Sequence, residues 1–195
     1  SCLHCREKEA AVIMERMRWM ILLFLLLLAG LAACSPAWNW RELRLDGAPL
    51  SIVLPCKPDH ASQAVTLAGV PVSLAMTGCE NAGATLAVSR VRLPPGASPG
   101  AALAQWRAAT LAGMRAQGVS EQPFQPAGSL ALPESVRIAA HGQSREGRPV
   151  NAQAVWFARA TAQGVWLFHA VVYADTVSPE VADAFFAGLR LQDSP

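Results

Sequence analysis

Apolar residues run without a break from Trp19 to Ala33, and no charged side chain interrupts them. Arg16 and Arg18 stand just before this run, with Arg6 and Lys8 farther upstream. Beyond it the pattern changes to short alternations. Leu50–Leu54 reads as a strand stopped by Pro55-Cys56-Lys57-Pro58. Residues 64–67 and 70–76 read as short strands about a Gly69-Val70-Pro71 turn, with a turn cluster at 78–83. Residues 84–93 alternate cleanly. Ala84, Leu86 and Val88 share a face, and Arg90 and Arg92 close the strand as an exposed pair able to meet an anion.

Pro94-Pro95-Gly96 breaks that strand, and Ser98-Pro99 supplies a helix cap with proline in the first turn. Leu103, Trp106, Thr110, Leu111 and Met114 fall on one helical stripe, and Gly118 is the expected helix end. Residues 124–132, interrupted by Pro and Gly, read as a connection with a short strand. Three strand-like segments follow at 135–141, 150–159 and 165–173, with short turns that predict an antiparallel meander. The last two are apolar on both faces and so require cover on both sides. Ser178-Pro179 opens a short final helix, and Leu189-Arg190-Leu191 a last strand. This order, without βαβ alternation, predicts an α+β domain over 48–192: an antiparallel sheet covered by one long and one short helix.

Basic residues, an apolar core and small residues are the order of a secretory leader. The run ends in Leu31-Ala32-Ala33-Cys34, which resembles the bacterial lipobox. That resemblance implies diacylglycerol on the Cys34 thiol and cleavage between Ala33 and Cys34. The expected organisation is upstream sequence or a miscalled start at 1–13, a lipoprotein signal at 14–33 and a lipidated tether at 34–47. An uncleaved single-pass anchor is the other reading. It must span a hydrocarbon core of about 30 Å with a run whose helix is only about 22 Å long. Both readings place the domain outside the inner membrane. Because Ser35 and not Asp follows the cysteine, enterobacterial sorting would favour the outer membrane over the inner.

The opening strand ending in Leu54-Pro55, the Gly69-Val70-Pro71 turn, the long helix, the meander and the short helix before Leu189-Arg190-Leu191 together resemble small bacterial envelope proteins of the PsbP/DcrB/Mog1 type. That resemblance implies a helix-covered sandwich and a binding or assembly role with an envelope protein partner. It transfers no catalytic residue.

Composition narrows the function classes. The formal net charge is only +2 and no basic cluster occurs, so nucleic acid is not an expected partner. If Cys34 carries lipid, the later cysteines are Cys56 and Cys79. In an oxidising compartment they pair as a structural disulfide, or else form a reactive pair lacking a third ligand. Cys2-Leu3-His4-Cys5 has the C-x-x-C spacing but too few ligands for zinc. No metal site and no cofactor is expected. There is no G-x-S-x-G nucleophile elbow; Gly142-Gln143-Ser144 only partly imitates one, with His141, His169 and Asp175 as conceivable partners. The sequence reading is therefore a membrane-held, non-catalytic envelope protein. Its alternative is a hydrolase-like enzyme with a site at His169, Tyr173 and Asp175.

Overall fold

The computed structural model describes residues 38–192. Ten strands and two helices follow in the order β1 (Arg41–Arg44), β2 (Leu50–Leu54), β3 (Asp59–Leu67), β4 (Val70–Asn81), β5 (Ala84–Leu93), α1 (Pro99–Gly113), β6 (Gln117–Pro123), β7 (Val136–Gln143), β8 (Pro149–Thr161), β9 (Gly164–Ala174), α2 (Pro179–Ala187) and β10 (Arg190–Leu191). Seven strands form one sheet, ordered β3-β4-β5-β9-β8-β7-β6, and three form a second, ordered β1-β2-β10. Every strand pairing is antiparallel.

This corrects the expected α+β architecture of a sheet covered by a long helix. The described chain is mostly β, and its helices have only 15 and 9 residues. The seven-stranded sheet has two buried faces. On one, Leu86, Val88, Val155, Phe157, Phe168 and Val172 pack with Leu50, Ile52 and Leu54 of β2 and with Phe185 and Phe186 of α2. On the other, Val91, Ile138, Ala154, Trp156, Leu167 and Val171 pack with Ala102, Leu103 and Trp106 of α1. A second sheet thus supplies cover that the sequence pattern assigns to a helix. Strand β1 lies inside the stretch read as a tether, with Leu43 turned to the core while Arg41, Glu42 and Arg44 are exposed.

Local chemistry explains the element ends. The Ser98 hydroxyl accepts from the Ala101 amide and the Ser178 hydroxyl from the Val181 amide, each just before a proline. Helix α1 ends at Gly113, well before Gly118. Met114 caps it, and Arg115 takes the left-handed conformation at φ 49°. Gly118 instead sits within β6, whose seven residues are all exposed. Strand β4 runs on to Asn81, so the expected turn cluster shrinks to Ala82 and Gly83. Arg137 of β7 fastens α2, pairing with Asp183 at 2.7 Å and covering the Phe186 ring at 4.9 Å.

The end of α1 is bolted to β7. The Gln143 amide donates to the Met114 carbonyl at 2.7 Å. A Cβ on Gly142 would run into that carbonyl and the Met114 side chain. Gly142→Ala is expected to destabilise the domain by about 1–2 kcal/mol, the scale of forced overpacking. Urea unfolding checks this; an unchanged midpoint would refute the close approach.

Candidate functional site

Helix α1 stops where the β4–β5 and β7–β8 turns and the end of β9 converge, and a cavity of about 890 Å³ opens there. Tyr173 and Asp175, two of the three residues of the sequence-derived site, line it. Tyr173 is half-buried, and burial pushes its phenol above the usual range. Asp175 follows the last residue of β9, and its carbonyl accepts from the Asn151 side chain of the neighbouring strand.

The third residue, His169, is elsewhere. It shares the strand face of Tyr173 but lies four residues back, about 13 Å along an extended chain. Only 6% of its surface is exposed. Its ring stacks on Trp156 of β8 at 4.5 Å and meets Trp106 of α1 at 5.5 Å. Among the described residues its buried Nε2 has no hydrogen-bond partner, nor has Nε1 of Trp156. Desolvation drives its pKa down to about 3, so the ring is neutral at physiological pH. His169 is a core residue, and the arrangement His169–Tyr173–Asp175 does not assemble.

The triad imitation also dissolves. Ser144 lies in the β7–β8 turn, where its hydroxyl donates to Glu146 Oε2 at 2.8 Å and accepts from the Glu146 amide. That hydroxyl first, and the backbone amide second, hold the Glu146 carboxyl below its ordinary value. His141 hydrogen-bonds the Asn151 side chain and does not line the cavity. Among the described residues no group of three or more His, Cys, Asp or Glu side chains could hold a metal.

The cavity wall therefore offers hydroxyls, carboxylates and guanidinium groups. Glu80, Glu146 and Asp175 contribute the acids, Arg145 and Arg148 the bases. Arg148 stands 3.9 Å from Glu146, so part of this charge is internally balanced. Such a wall can hydrogen-bond a polar ligand, and it presents no imidazole to move a proton. Glu80, Arg145 and Arg148 have no sequence signal beyond membership of turns, and Thr110, expected on the packed stripe of the helix, lines the cavity instead; tertiary packing alone brings them together.

The two cysteines do meet. Cys56 and Cys79 form a disulfide with Cα atoms 6.0 Å apart. It ties the β2–β3 connection to β4. Leu31, Ala32, Ala33 and Cys34 lie outside the described residues, as do the leader and the Cys2–Cys5 pair. Among the described residues no helix is long and apolar enough to cross a membrane. No protein-family model and no curated protein matches the chain.

Proposed function

We propose that this chain is a lipoprotein of the bacterial envelope, carrying diacylglycerol on Cys34, facing the periplasm, and acting by binding and not by catalysis. The leader pattern and Leu31-Ala32-Ala33-Cys34 support the attachment. A disulfide within the domain fits an oxidising compartment. Each buried methylene of an acyl chain contributes about 0.8 kcal/mol, so two or three chains hold a soluble domain firmly.

The observation that carries binding over catalysis is the parting of His169 from Tyr173 and Asp175. The cavity that keeps the latter two has hydrogen-bonding groups on its wall, while the candidate base is stacked between tryptophans. A polar small molecule or a segment of an envelope protein partner suits such a wall.

Labelled palmitate fed to cells making the full chain is expected to appear on the wild type and to vanish in Cys34→Ala. Label retained on the variant would overturn the attachment. A hydrolase panel on the purified full chain tests the binding reading. Turnover that Tyr173→Phe abolishes would overturn it.

A further inference from the structure

The face of the seven-stranded sheet that lies under β2 continues past the cover. On β5, Ala84, Leu86 and Val88 are core, but the next two residues on that face are Arg90 and Arg92. Strand register sets Ala75 of β4 opposite Arg90, and Trp166 of β9 opposite Arg92. The β1–β2 turn overhangs them with Asp46, and the groove so formed measures about 690 Å³. It is separate from the cavity that holds Tyr173.

Arg90 is fixed from two sides. Its Nη1 donates to Thr77 Oγ1 at 3.4 Å and its Nη2 to the Asp46 carbonyl at 3.3 Å. Thr77 is itself buried and bonded to His60 Nδ1 at 3.1 Å. These bonds orient the guanidinium, and a guanidinium carries five donors. Neither Arg90 nor Arg92 makes an ion pair among the described residues. Burial lowers the Arg90 pKa, and Asp46 offsets this only in part. A half-buried cation costs free energy unless a counter-charge meets it. Beside the pair, Arg92 sits 5.9 Å from the centre of the Trp166 ring, which is half-buried and stacks on Phe168. Guanidinium forks suit carboxylate and phosphate oxygens, and an indole beneath one holds it by cation–π attraction.

The geometry points to an oxyanion-binding site: Arg90 and Arg92 hold a phosphate or carboxylate group, and Trp166 steadies the Arg92 guanidinium that lies over it. Arg90 supplies the fixed fork and Arg92 the adjustable one. The site does not depend on lipid at Cys34, so the labelling experiment and the one below succeed or fail separately.

Isothermal titration of the full chain in detergent, with glucose 6-phosphate, glucuronate, inorganic phosphate and neutral glucose, tests the assignment. Both ring anions are expected to bind at least about tenfold more tightly than glucose, because charge-assisted hydrogen bonds are the stronger ones. Arg90→Gln and Arg92→Gln should each weaken them about tenfold or more. Trp166→Ala should weaken glucose 6-phosphate, glucuronate and inorganic phosphate alike, because it removes the ring that steadies Arg92. Arg92 is exposed, so its variant serves if Arg90→Gln misfolds. Vesicles of phosphatidylglycerol, compared with neutral phosphatidylcholine vesicles that report insertion of the acylated end alone, form a second arm. If wild type prefers phosphatidylglycerol and Arg92→Gln loses that preference, and soluble anions do not bind, the phosphate belongs to a lipid headgroup. Absence of both that preference and soluble-anion binding, or affinities that Arg92→Gln leaves unchanged, would overturn the site.

Discussion

Lowering the pH from 7.5 to 5 is expected to cost the domain about 2 kcal/mol of stability through His169 alone, from a shift of 1.36 kcal/mol per pKa unit. Folding lowers the pKa of this ring from 6.5 to about 3 because burial excludes the charged form. The unfolded chain therefore takes up a proton as the pH falls through 6.5, while the folded chain does not until about pH 3. The unfolded state binds more protons throughout that window, so stability rises with pH inside it and is flat above it. The rings of Trp106 and Trp156 face the imidazole, and Ser89 of β5 is its register partner. No acid among them compensates the charge. The carboxyls held low by their own serines, Glu146 and Glu180, begin from 4.5 and so act below this range. Denaturant unfolding at pH 7.5, 6.5, 5.5 and 5.0 measures the slope. His169→Leu and His169→Phe, whatever their stability at pH 7.5, should lose less than about 0.5 kcal/mol over the same interval, since their side chains do not titrate. A slope as steep in both variants as in wild type would place the acid sensitivity elsewhere.

The same residue shows how far the sequence can be read. Alternation puts His169 on one face with Leu167, Val171 and Tyr173, and the structure agrees. Alternation is silent on which part of that face a helix will cover. Trp106 of α1 closes over His169, and α1 ends at Gly113 before reaching Tyr173. One strand face therefore passes from dry core to cavity wall within four residues. The site on the opposite face has a similar history. Arg90 and Arg92 were visible as a pair, yet Asp46 and Thr77 were not visible as their neighbours.

Strands β2 and β5 were legible because Pro or Gly stops them and one face is apolar. Strands β1 and β6 were not. Both lie at sheet edges; β6 has no buried residue to create a period, and β1 has a single inward leucine. Missing these two strands gives the helices too large a share and leads to the α+β expectation. The pairing of β5 with β9 joins residues about eighty positions apart, and local pattern does not encode it. The meander of β7, β8 and β9 was legible for the opposite reason: short turns leave antiparallel pairing as the near neighbour's only economical choice.

Removing the Cys56–Cys79 bond is expected to destabilise the domain by about 3 kcal/mol, the chain-entropy value for a loop of this size. The bond spans a sequence separation of 23. For a domain of this length that corresponds to a fall of about 6–12 °C in Tm. The location adds to the argument. Cys79 is 6% exposed within the core shared by the two sheets, and Cys56 packs against the same core. Strand β3 starts at Asp59, just after Cys56, and forms the sheet's edge with mostly exposed residues. Such a strand has little apolar burial of its own, so the covalent tie at its entrance holds it against β4 from Asp59 onward. Reduction should first raise amide exchange in β3, before the central β8 and β9 respond. The measurement compares wild type with and without reductant against Cys56→Ala/Cys79→Ala under the same two conditions. Wild type should lose stability on reduction and the double variant should ignore the reductant. A wild-type change below about 0.5 kcal/mol, far under the loop-closure value, would mean that the reduced chain keeps this loop closed by packing alone.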